Sequence, residues 1–230
     1  MKFKGLFLDL DGTILNTIED IKESVNFSLK LHGIKPRSLE QIRKSIGHGS
    51  KHLINTSIPN TIDQKQFETI FNSYKNYYVS HVDVFTKPYD GVVDTLKELK
   101  NRGVKIAVIT NKPIDLALPL INKYFQGLID VVYGQDKNSI PKPNPVDIFK
   151  ALEKLNLTKE EIIYVGDSLV DYQTAINANV KPILCSYGFE KKDILKANSN
   201  CELIDKFDEL RRYFIWTFYF SFSQKQNALI

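Results

Sequence analysis

Residues 6–17 read LFLDLDGTILNT, and in this stretch an apolar run leads to two carboxylates, Asp9 and Asp11, one residue apart. The apolar run predicts a strand that is covered on both faces, as the strands of parallel sheets are. Two neighbouring carboxylates repel each other unless a cation lies among them. The stretch therefore predicts a buried parallel strand that ends in an acidic, cation-binding group of side chains.

Short apolar runs recur along the chain and alternate with segments of helical periodicity. The predicted strands are the runs at residues 3–8, 104–110, 130–133, 162–166, 182–186 and 201–204. This alternation is typical of α/β proteins with right-handed crossover connections. The predicted fold is a Rossmann-like parallel sheet core with helices on both faces.

The chain between the first two of these strands is longer than one crossover helix requires, and helix signals fill it. Thr17 precedes a segment with apolar residues at helical spacing, and Ser38 with Gln41 has the pattern of a capping box. We therefore expect an inserted all-helical cap at residues 15–82. The core then comprises residues 1–14 and 83–212.

Residues 213–230 form an aromatic C-terminal extension of unknown role. So many aromatic side chains are unfavourable in a free, solvated tail. We expect the extension to pack on the core or on a second subunit, with attachment to a membrane surface as the second interpretation.

The composition is that of a globular protein, with 43% hydrophobic and 25% charged residues among 230. The formal net charge is +4, but Lys and Arg are spread along the chain, so no nucleic-acid interface is predicted. The two cysteines lack a CxxC spacing, which predicts no zinc site and favours the cytoplasm. We expect neither a secretory signal nor a membrane span, because no apolar leader is visible and the longest aromatic stretch is about half a membrane helix.

Polar side chains follow three of the predicted strands at the points where the strands end. They are Asp9 and Asp11, then Thr110, Asn111 and Lys112, then Asp167 and Asp171, with Lys142 in a loop before the third strand. Taken singly, each is compatible with an ordinary turn or helix N-cap, and an exposed helix-start lysine is the expectation for Lys112. Because the carboxyl ends of parallel strands share one edge, we expect the set to meet there. Carboxylates favour Mg²⁺, and the lysine, hydroxyl and amide supply donors for a phosphoryl group.

Four segments carry a resemblance to a known family. They read DLDGT (9–13), TNK (110–112), PKPNP (141–145) and GDSLVD (166–171). In this order they resemble the four motifs of the haloacid dehalogenase superfamily, over nearly the whole chain. The helical insertion after the first motif is similar to the cap of its phosphoglycolate phosphatase-like members, and SIGHGSKHLI (45–54) resembles their cap segment with a GxG turn.

The resemblance implies roles for the acidic residues. Asp9 would be the nucleophile that becomes an aspartyl phosphate, and Asp11 would protonate the leaving group and then activate water. Magnesium would be held by Asp9, the backbone carbonyl of Asp11 and Asp167. Asp171 would lie nearby, as a ligand through water or as an orienter of Lys142. A second acidic residue at position 11 favours phosphoryl transfer over dehalogenation, because a halide leaving group needs no proton.

The remaining implied roles concern binding. Thr110, Asn111 and Lys142 would bind the phosphate, and four cap residues would contact the rest of the substrate: Gly47, His48, Gly49 and Lys51. The expected function is a magnesium-dependent phosphatase of a small phosphorylated metabolite, with 2-phosphoglycolate first. A pyrophosphatase, a sugar-phosphate or nucleotide phosphatase and a phosphomutase are the alternatives on the same core, and a non-catalytic phosphate-binding regulator is the alternative of another class. A monomer and a homodimer both stay open.

Overall fold

The computed structural model describes residues 3–214, and its centre is a six-stranded sheet. In chain order the strands of the protein are β1 (Gly5–Leu8), β2 (Leu15–Asn16), β3 (Lys87–Pro88), β4 (Lys105–Pro113), β5 (Val131–Gln135), β6 (Ile162–Gly166), β7 (Lys181–Cys185) and β8 (Glu202–Ile204). The sheet has the order β5-β4-β1-β6-β7-β8, and every neighbouring pair is parallel. The predicted fold class, a Rossmann-like parallel sheet, is confirmed.

Helices cover the sheet and form the insertion. They are α1 (Ile18–Leu31), α2 (Leu39–Arg43), α3 (Ser50–Ser57), α4 (Gln64–His81), α5 (Val92–Asn101), α6 (Ile114–Tyr124), α7 (Val146–Leu155), α8 (Leu169–Ala178) and α9 (Lys192–Asn198). Two 3₁₀ helices, Lys159–Glu161 and Phe207–Phe214, complete the described chain. No helix within residues 3–214 combines the length and apolarity that a bilayer crossing needs.

Strand β1 shows why both faces of the sheet are covered. Alternate side chains of a strand point to opposite faces. Leu6 and Leu8 belong to one apolar cluster with α5, α6 and the C-terminal 3₁₀ helix, whereas Phe7 belongs to a second cluster with α7 and α8. All four residues of β1 are buried. The continuous apolar run in the sequence therefore corresponds to a central strand between two helical layers.

Helices α1 to α4 lie between β2 and β3, which pair with each other antiparallel where the chain leaves and re-enters the sheet region. These inserted helices have an apolar cluster of their own that includes Val25, Leu29 and Tyr74. The carboxylate of Asp20 in α1 accepts hydrogen bonds from the backbone N–H groups of Phe85 and Thr86 in the returning segment. The buried Asp20 carboxylate thus links the segment that enters the insertion to the segment that leaves it.

The C-terminal end of the described chain is part of the core. The 3₁₀ helix Phe207–Phe214 buries Phe207, Leu210 and Phe214 in the cluster that also contains Leu6 and Leu8. The first two residues of the aromatic segment 213–230 are thus in this helix. The rest of that segment, and with it the expected packing or membrane attachment, lies outside the described residues.

Candidate active site

The carboxyl ends of β1, β4 and β6 bring three groups of polar residues to one edge of the sheet. Asp9 follows β1 directly, and its backbone N–H donates to the carbonyl of Val165 in β6 at 2.9 Å. Asp167 follows β6 and begins the turn into α8. Adjacent strand ends thus carry the two aspartates to the same place, as the general rule for parallel sheets requires.

The carboxylates of Asp9, Asp167 and Asp171 form a buried cluster. Each offers an oxygen atom, and these oxygens all lie within 4.8 Å of one another. Two glycines enclose Asp167: a Cβ on Gly12 would lie 2.1 Å from Asp167 Oδ2, and a Cβ on Gly188 would lie 2.2 Å from Asp167 Cβ. Backbone therefore approaches this carboxylate at distances that only glycine permits.

Lys142 is the cation of this cluster. Its buried Nζ lies 2.8 Å from Asp9 Oδ1, as an ion pair without the alignment of a hydrogen bond, and donates to Asp171 Oδ1 at 2.7 Å. The other oxygen of Asp171 accepts from the Ser168 hydroxyl at 2.6 Å, in the capping box that begins α8. Both oxygens of Asp171 are thus engaged within the protein. Asp167 accepts one hydrogen bond on each oxygen, from the Thr13 hydroxyl at 3.3 Å and from the Phe189 backbone N–H at 2.7 Å. Asp171 accepts more, since Tyr164 and two backbone N–H groups also donate to it. Asp9 and Asp167 are therefore the members with more capacity to bind a cation.

The charges of the cluster do not balance. Burial raises the pKa of Asp9 to about 7, and the Lys142 ammonium acts in the opposite direction. Burial, with the Asp171 carboxylate, raises the pKa of Asp167 well above its usual range. Burial by itself lowers the pKa of Lys142, but the carboxylates of Asp171 and Asp9 raise it well above the ordinary value. Three carboxylates against one ammonium leave two negative charges in excess, which a divalent cation would neutralise.

Asp11 belongs to a second, separate group. Lys112 Nζ donates to both of its carboxylate oxygens, at 3.0 and 3.3 Å, and the Thr17 hydroxyl donates to Oδ1 at 2.8 Å. Lys112 also donates to the hydroxyl of Tyr78 in α4. Burial, reinforced by the Asp11 carboxylate, raises the pKa of Tyr78 well above its usual range, so the phenol stays protonated. The side chain of Asp11 is thereby held apart from the acidic cluster.

The expectation that Lys112 is an exposed helix-start lysine is wrong. Lys112 is only 5% exposed, because β4 runs on to Pro113 with a register shift after Ile109, and α6 begins only at Ile114. The end of the strand therefore directs Lys112 into the site.

Thr110 and Asn111 are buried at the end of β4, but their side chains differ in what they leave free. Within the described chain, the one hydrogen bond of the Thr110 hydroxyl is the one that its oxygen accepts from the backbone N–H of Lys112 at 3.2 Å, so its own proton is available to a ligand. Asn111 Oδ1 accepts from the Lys142 backbone N–H at 2.8 Å, and Nδ2 donates to the Gly47 carbonyl at 2.8 Å. The Asn111 amide thus joins the Lys142 loop to the inserted helices.

A cavity of about 480 Å³ lies between this edge of the sheet and the inserted helices. Asp9, Asp11, Thr110, Lys142 and Asp167 line it from the core. The lining from the insertion includes Arg43, Lys44, Gly47, His48, Gly49 and Tyr78. The acidic cluster, through Asp9 and Asp167, and the second group, through Asp11, therefore border the same cavity.

Three of the four predicted cap residues lie in the lining of the cavity. Gly47, His48 and Gly49 line the cavity, whereas Lys51 is exposed and is not in the lining. Successive residues of a helix point in different directions, and at the start of α3 it is Ser50 that lines the cavity. Arg43 and Tyr78 also line the cavity, and no motif in the sequence marks either of them. In the structure, the polar ends of these two side chains lie beside an acidic site, and this distinguishes them from residues that only pack.

Comparisons with known proteins place this geometry in context. A family model described as haloacid dehalogenase-like hydrolase matches residues 6–185. A phosphoglycolate phosphatase of Thiobacillus denitrificans is 32% identical over 199 residues, which are 83% of this chain and 86% of that protein. An N-acetylmuramic acid 6-phosphate phosphatase of Pseudomonas aeruginosa is 25% identical, with 82% of this chain and 84% of that protein aligned. The crystal structure of a protein from Lactobacillus delbrueckii subsp. bulgaricus superposes with a TM-score of 0.88 at 26% identity, covering 94% of this chain and 99% of that one.

Proposed function

The chain belongs to the haloacid dehalogenase-like hydrolase family, and on that premise we propose that it hydrolyses 2-phosphoglycolate with Mg²⁺ through an aspartyl phosphate on Asp9. The family resemblance and the class of enzyme, a phosphomonoester hydrolase, are confirmed by the family match and the phosphoglycolate phosphatase relatives. One observation carries the finer proposal. Asp9, Asp167 and Asp171 converge around Lys142, and Asp9, Lys142 and Asp167 line a cavity that the inserted helices border on the other side.

The donor set fits magnesium. The cluster offers hard carboxylate oxygens, carries two negative charges in excess and leaves Asp9 and Asp167 with free capacity. We assign the ion to Asp9, Asp167 and the backbone carbonyl of Asp11, and we assign Asp171 the task of holding Lys142. When bound, magnesium supplies charge neutralisation for the phosphoryl oxygens.

The residues of the chain then perform the two halves of the reaction. An oxygen of the Asp9 carboxylate forms a bond to phosphorus while the bond from phosphorus to the ester oxygen breaks. Asp11 gives its proton to the departing alkoxide, and it later takes a proton from the water that attacks the aspartyl phosphate. The Lys142 ammonium and the Thr110 hydroxyl donate to the phosphoryl oxygens. Asn111 contributes by holding the Lys142 loop, since its amide is already engaged.

The position of Asp11 supports its assignment as the proton carrier. Lys112 and Thr17 donate to its carboxylate, which is not one of the three carboxylates that converge around Lys142. Asp11 is thus held near the nucleophile without sharing its cation. On the insertion side, Gly47, His48 and Gly49 are the proposed contacts for the remainder of the substrate, and Lys51 is withdrawn from that set.

A second candidate substrate class is favoured by the size of the cavity. A volume of about 480 Å³ exceeds what 2-phosphoglycolate fills and lies within the range of pockets that take drug-sized ligands. The substrate named for one relative, N-acetylmuramic acid 6-phosphate, is a larger acid. Both named substrates carry a carboxylate besides the phosphomonoester. A phosphorylated sugar acid is therefore the alternative to phosphoglycolate.

The division into a core at 1–14 and 83–212 and a cap at 15–82 stays a proposal. It is supported by the antiparallel pair β2–β3, where the chain crosses between the two parts, and by the separate apolar cluster of the inserted helices. The cytoplasm stays the proposed location, supported by two free cysteines in the described chain.

A steady-state screen with Mg²⁺ tests the proposed function. Phosphate release from 2-phosphoglycolate should exceed release from pyrophosphate, nucleotides and neutral sugar phosphates, and the Asp9→Asn variant should release none. For the larger acid, N-acetylmuramic acid 6-phosphate is compared with N-acetylglucosamine 6-phosphate, which lacks the carboxylate. A bisphosphorylated product in place of free phosphate would indicate a mutase. Wild-type protein that hydrolyses no phosphoester with Mg²⁺ would be a phosphate-binding regulator and would contradict the proposal.

A further inference from the structure

The cavity contains a cation that the reaction described above does not use. Lys142 is paired with Asp9 and Asp171, and Lys112 is paired with Asp11. Arg43, at the end of α2, also lines the cavity. Within residues 3–214 its guanidinium forms no hydrogen bond and no ion pair, although its Nε is buried.

A guanidinium in this condition is unfavourable for the protein alone. A buried donor without an acceptor loses its hydration and gains nothing in exchange. A structural explanation is that Arg43 offsets the negative end of α2, but α2 has only five residues and the exposed Lys44 follows it immediately. A cation that only offset the helix end would do so equally well from solvent. The helix end therefore does not explain why the Nε of Arg43 is buried, and a ligand in the cavity would.

Two titratable groups near Arg43 respond to its charge. Burial raises the pKa of the Tyr89 hydroxyl, the Asp167 carboxylate adds to the effect, and the Arg43 guanidinium opposes it. Arg43 thus lies near enough to Tyr89 to act on it electrostatically, on the side of the site where Tyr89 also senses Asp167. The Arg43 charge also acts to lower the pKa of the exposed Glu40 carboxyl, so what places the guanidinium at the reaction site is its position in the cavity lining together with its buried Nε.

The chemistry of the group defines what it accepts. A guanidinium presents a planar fork of donors that matches the two oxygens of a carboxylate. The acidic cluster on the core side repels a second anionic group of a bound substrate, so such a group needs a cation across the cavity from the cluster. The inserted helices bring two cations without hydrogen bonds or ion pairs in the described chain to the lining, the exposed Lys44 and Arg43, and of these Arg43 has the buried donor and the fork.

We propose that Arg43 binds the carboxylate of a phosphorylated carboxylic acid and thereby makes such acids the preferred substrates of this enzyme. The inference rests on the proposed function, because the phosphomonoester must occupy the core side for its carboxylate to reach Arg43. Arg43 acts on specificity: it touches the end of the substrate that does not react. The phosphoryl end is bound by residues of the core, and the carboxylate end is bound by a residue of the insertion.

Two substrates that differ only in the carboxylate test this assignment. 2-Phosphoglycolate carries a carboxylate where hydroxyethyl phosphate carries a neutral alcohol. Arg43→Met should lower kcat/KM for 2-phosphoglycolate roughly 10- to 150-fold, chiefly through KM, as the loss of a charged hydrogen bond does. It should change kcat/KM for hydroxyethyl phosphate less than about threefold. Arg43→Lys should recover part of the loss, because it keeps the charge and loses the fork.

Lys44→Met is the matched control, since Lys44 is the neighbouring cation of the same lining and is exposed. It should leave both substrates within about threefold of the wild type. Equal losses on both substrates in Arg43→Met, or the same loss in Lys44→Met, would overturn the assignment. A wild type that hydrolyses hydroxyethyl phosphate as well as 2-phosphoglycolate removes this inference and leaves the phosphatase assignment standing. A wild type that hydrolyses neither these nor any other phosphoester removes the proposed function and the inference together.

Discussion

Replacing Lys142 by methionine is expected to destabilise the metal-free protein through its charge and not through its packing. Methionine keeps the length of the side chain and removes the ammonium that lies 2.8 Å from Asp9 Oδ1 and 2.7 Å from Asp171 Oδ1. The lysine side chain is 5% exposed and that of Asp171 is fully buried. The substitution therefore leaves buried carboxylates without their counter-charge.

The size of the effect follows from that burial. Removing one partner of a buried ion pair costs about 3–5 kcal/mol. For a chain of this size that loss lowers Tm by roughly 6–20 °C. The matched control is Lys150→Met, which breaks a pair between Asp147 and a lysine side chain that is 50% exposed. A surface pair of that kind contributes about 0–1 kcal/mol, so the control should lower Tm by about 4 °C at most.

The dependence on pH separates charge from packing. Burial already raises the pKa of Asp9 to about 7, and Lys142 opposes that rise, so removing the lysine raises the pKa further. A carboxyl whose pKa is higher in the folded state disfavours folding increasingly as pH rises from its unfolded value, about 4, through its folded value. The Tm loss of Lys142→Met should therefore be small up to about pH 7, where Asp9 is protonated with or without the lysine, and should grow as the pH rises above 7 toward the higher pKa of the variant.

Thermal unfolding followed by circular dichroism measures these differences in chelator-treated protein, at acidic and alkaline pH. Added Mg²⁺ should restore part of the Tm at alkaline pH, because it supplies the positive charge that the variant lacks. Equal Tm losses at both pH values, with no recovery in Mg²⁺, would refute the reasoning. So would a loss no larger than that of Lys150→Met.

Further substitutions address the other parts of the site. Asp9→Asn should abolish phosphate release without lowering Tm, because it removes a buried charge and keeps the shape, and residual turnover in that variant would exclude Asp9 as the nucleophile. Gly188→Ala puts a Cβ 2.2 Å from the Cβ of Asp167 and should displace that carboxylate. The Mg²⁺ concentration for half-maximal activity should therefore rise about tenfold or more. An unchanged magnesium titration would remove Asp167 from the metal site. Lys112→Met releases Asp11 and should lower kcat about 10- to 100-fold for alkyl phosphates and much less for p-nitrophenyl phosphate, whose leaving group needs no proton. Equal losses on the two esters would separate Lys112 from proton transfer.

The fold was largely predictable because its signals are local. The apolar run before Asp9 and the similar run at β6 predict strands that are covered on both faces, and both strands are fully buried. Neighbouring parallel strands bring their carboxyl ends to one edge of the sheet. The same rule led to the grouping of Asp9, Asp167 and Thr110 at that edge. Periodicity likewise indicated helices between β2 and β3, since the apolar faces of α1 and α4 are regular.

The misplaced and missed residues depend on features that a local pattern does not encode. Lys112 was assigned to a helix start because nothing in the sequence marks that β4 continues past Thr110 with a shifted register. Whether Ser50 or Lys51 lines the cavity depends on the residue at which α3 begins, because successive helical residues point in different directions. Arg43 and Tyr78 reach the site through the packing of the insertion against the core, which no spacing along the chain reports.

The formation of an aspartyl phosphate on Asp9 is the central claim, and rapid quenching measures it directly. Enzyme mixed with Mg²⁺ and phosphorylated substrate is quenched in acid within a single turnover, digested and analysed by mass spectrometry. The account predicts one phosphoryl group on the peptide that contains Asp9, which disappears as free phosphate forms and is absent in Asp9→Asn. Full turnover with no phosphorylated Asp9 peptide at any quench time, or a phosphoryl group on a different residue, would contradict it.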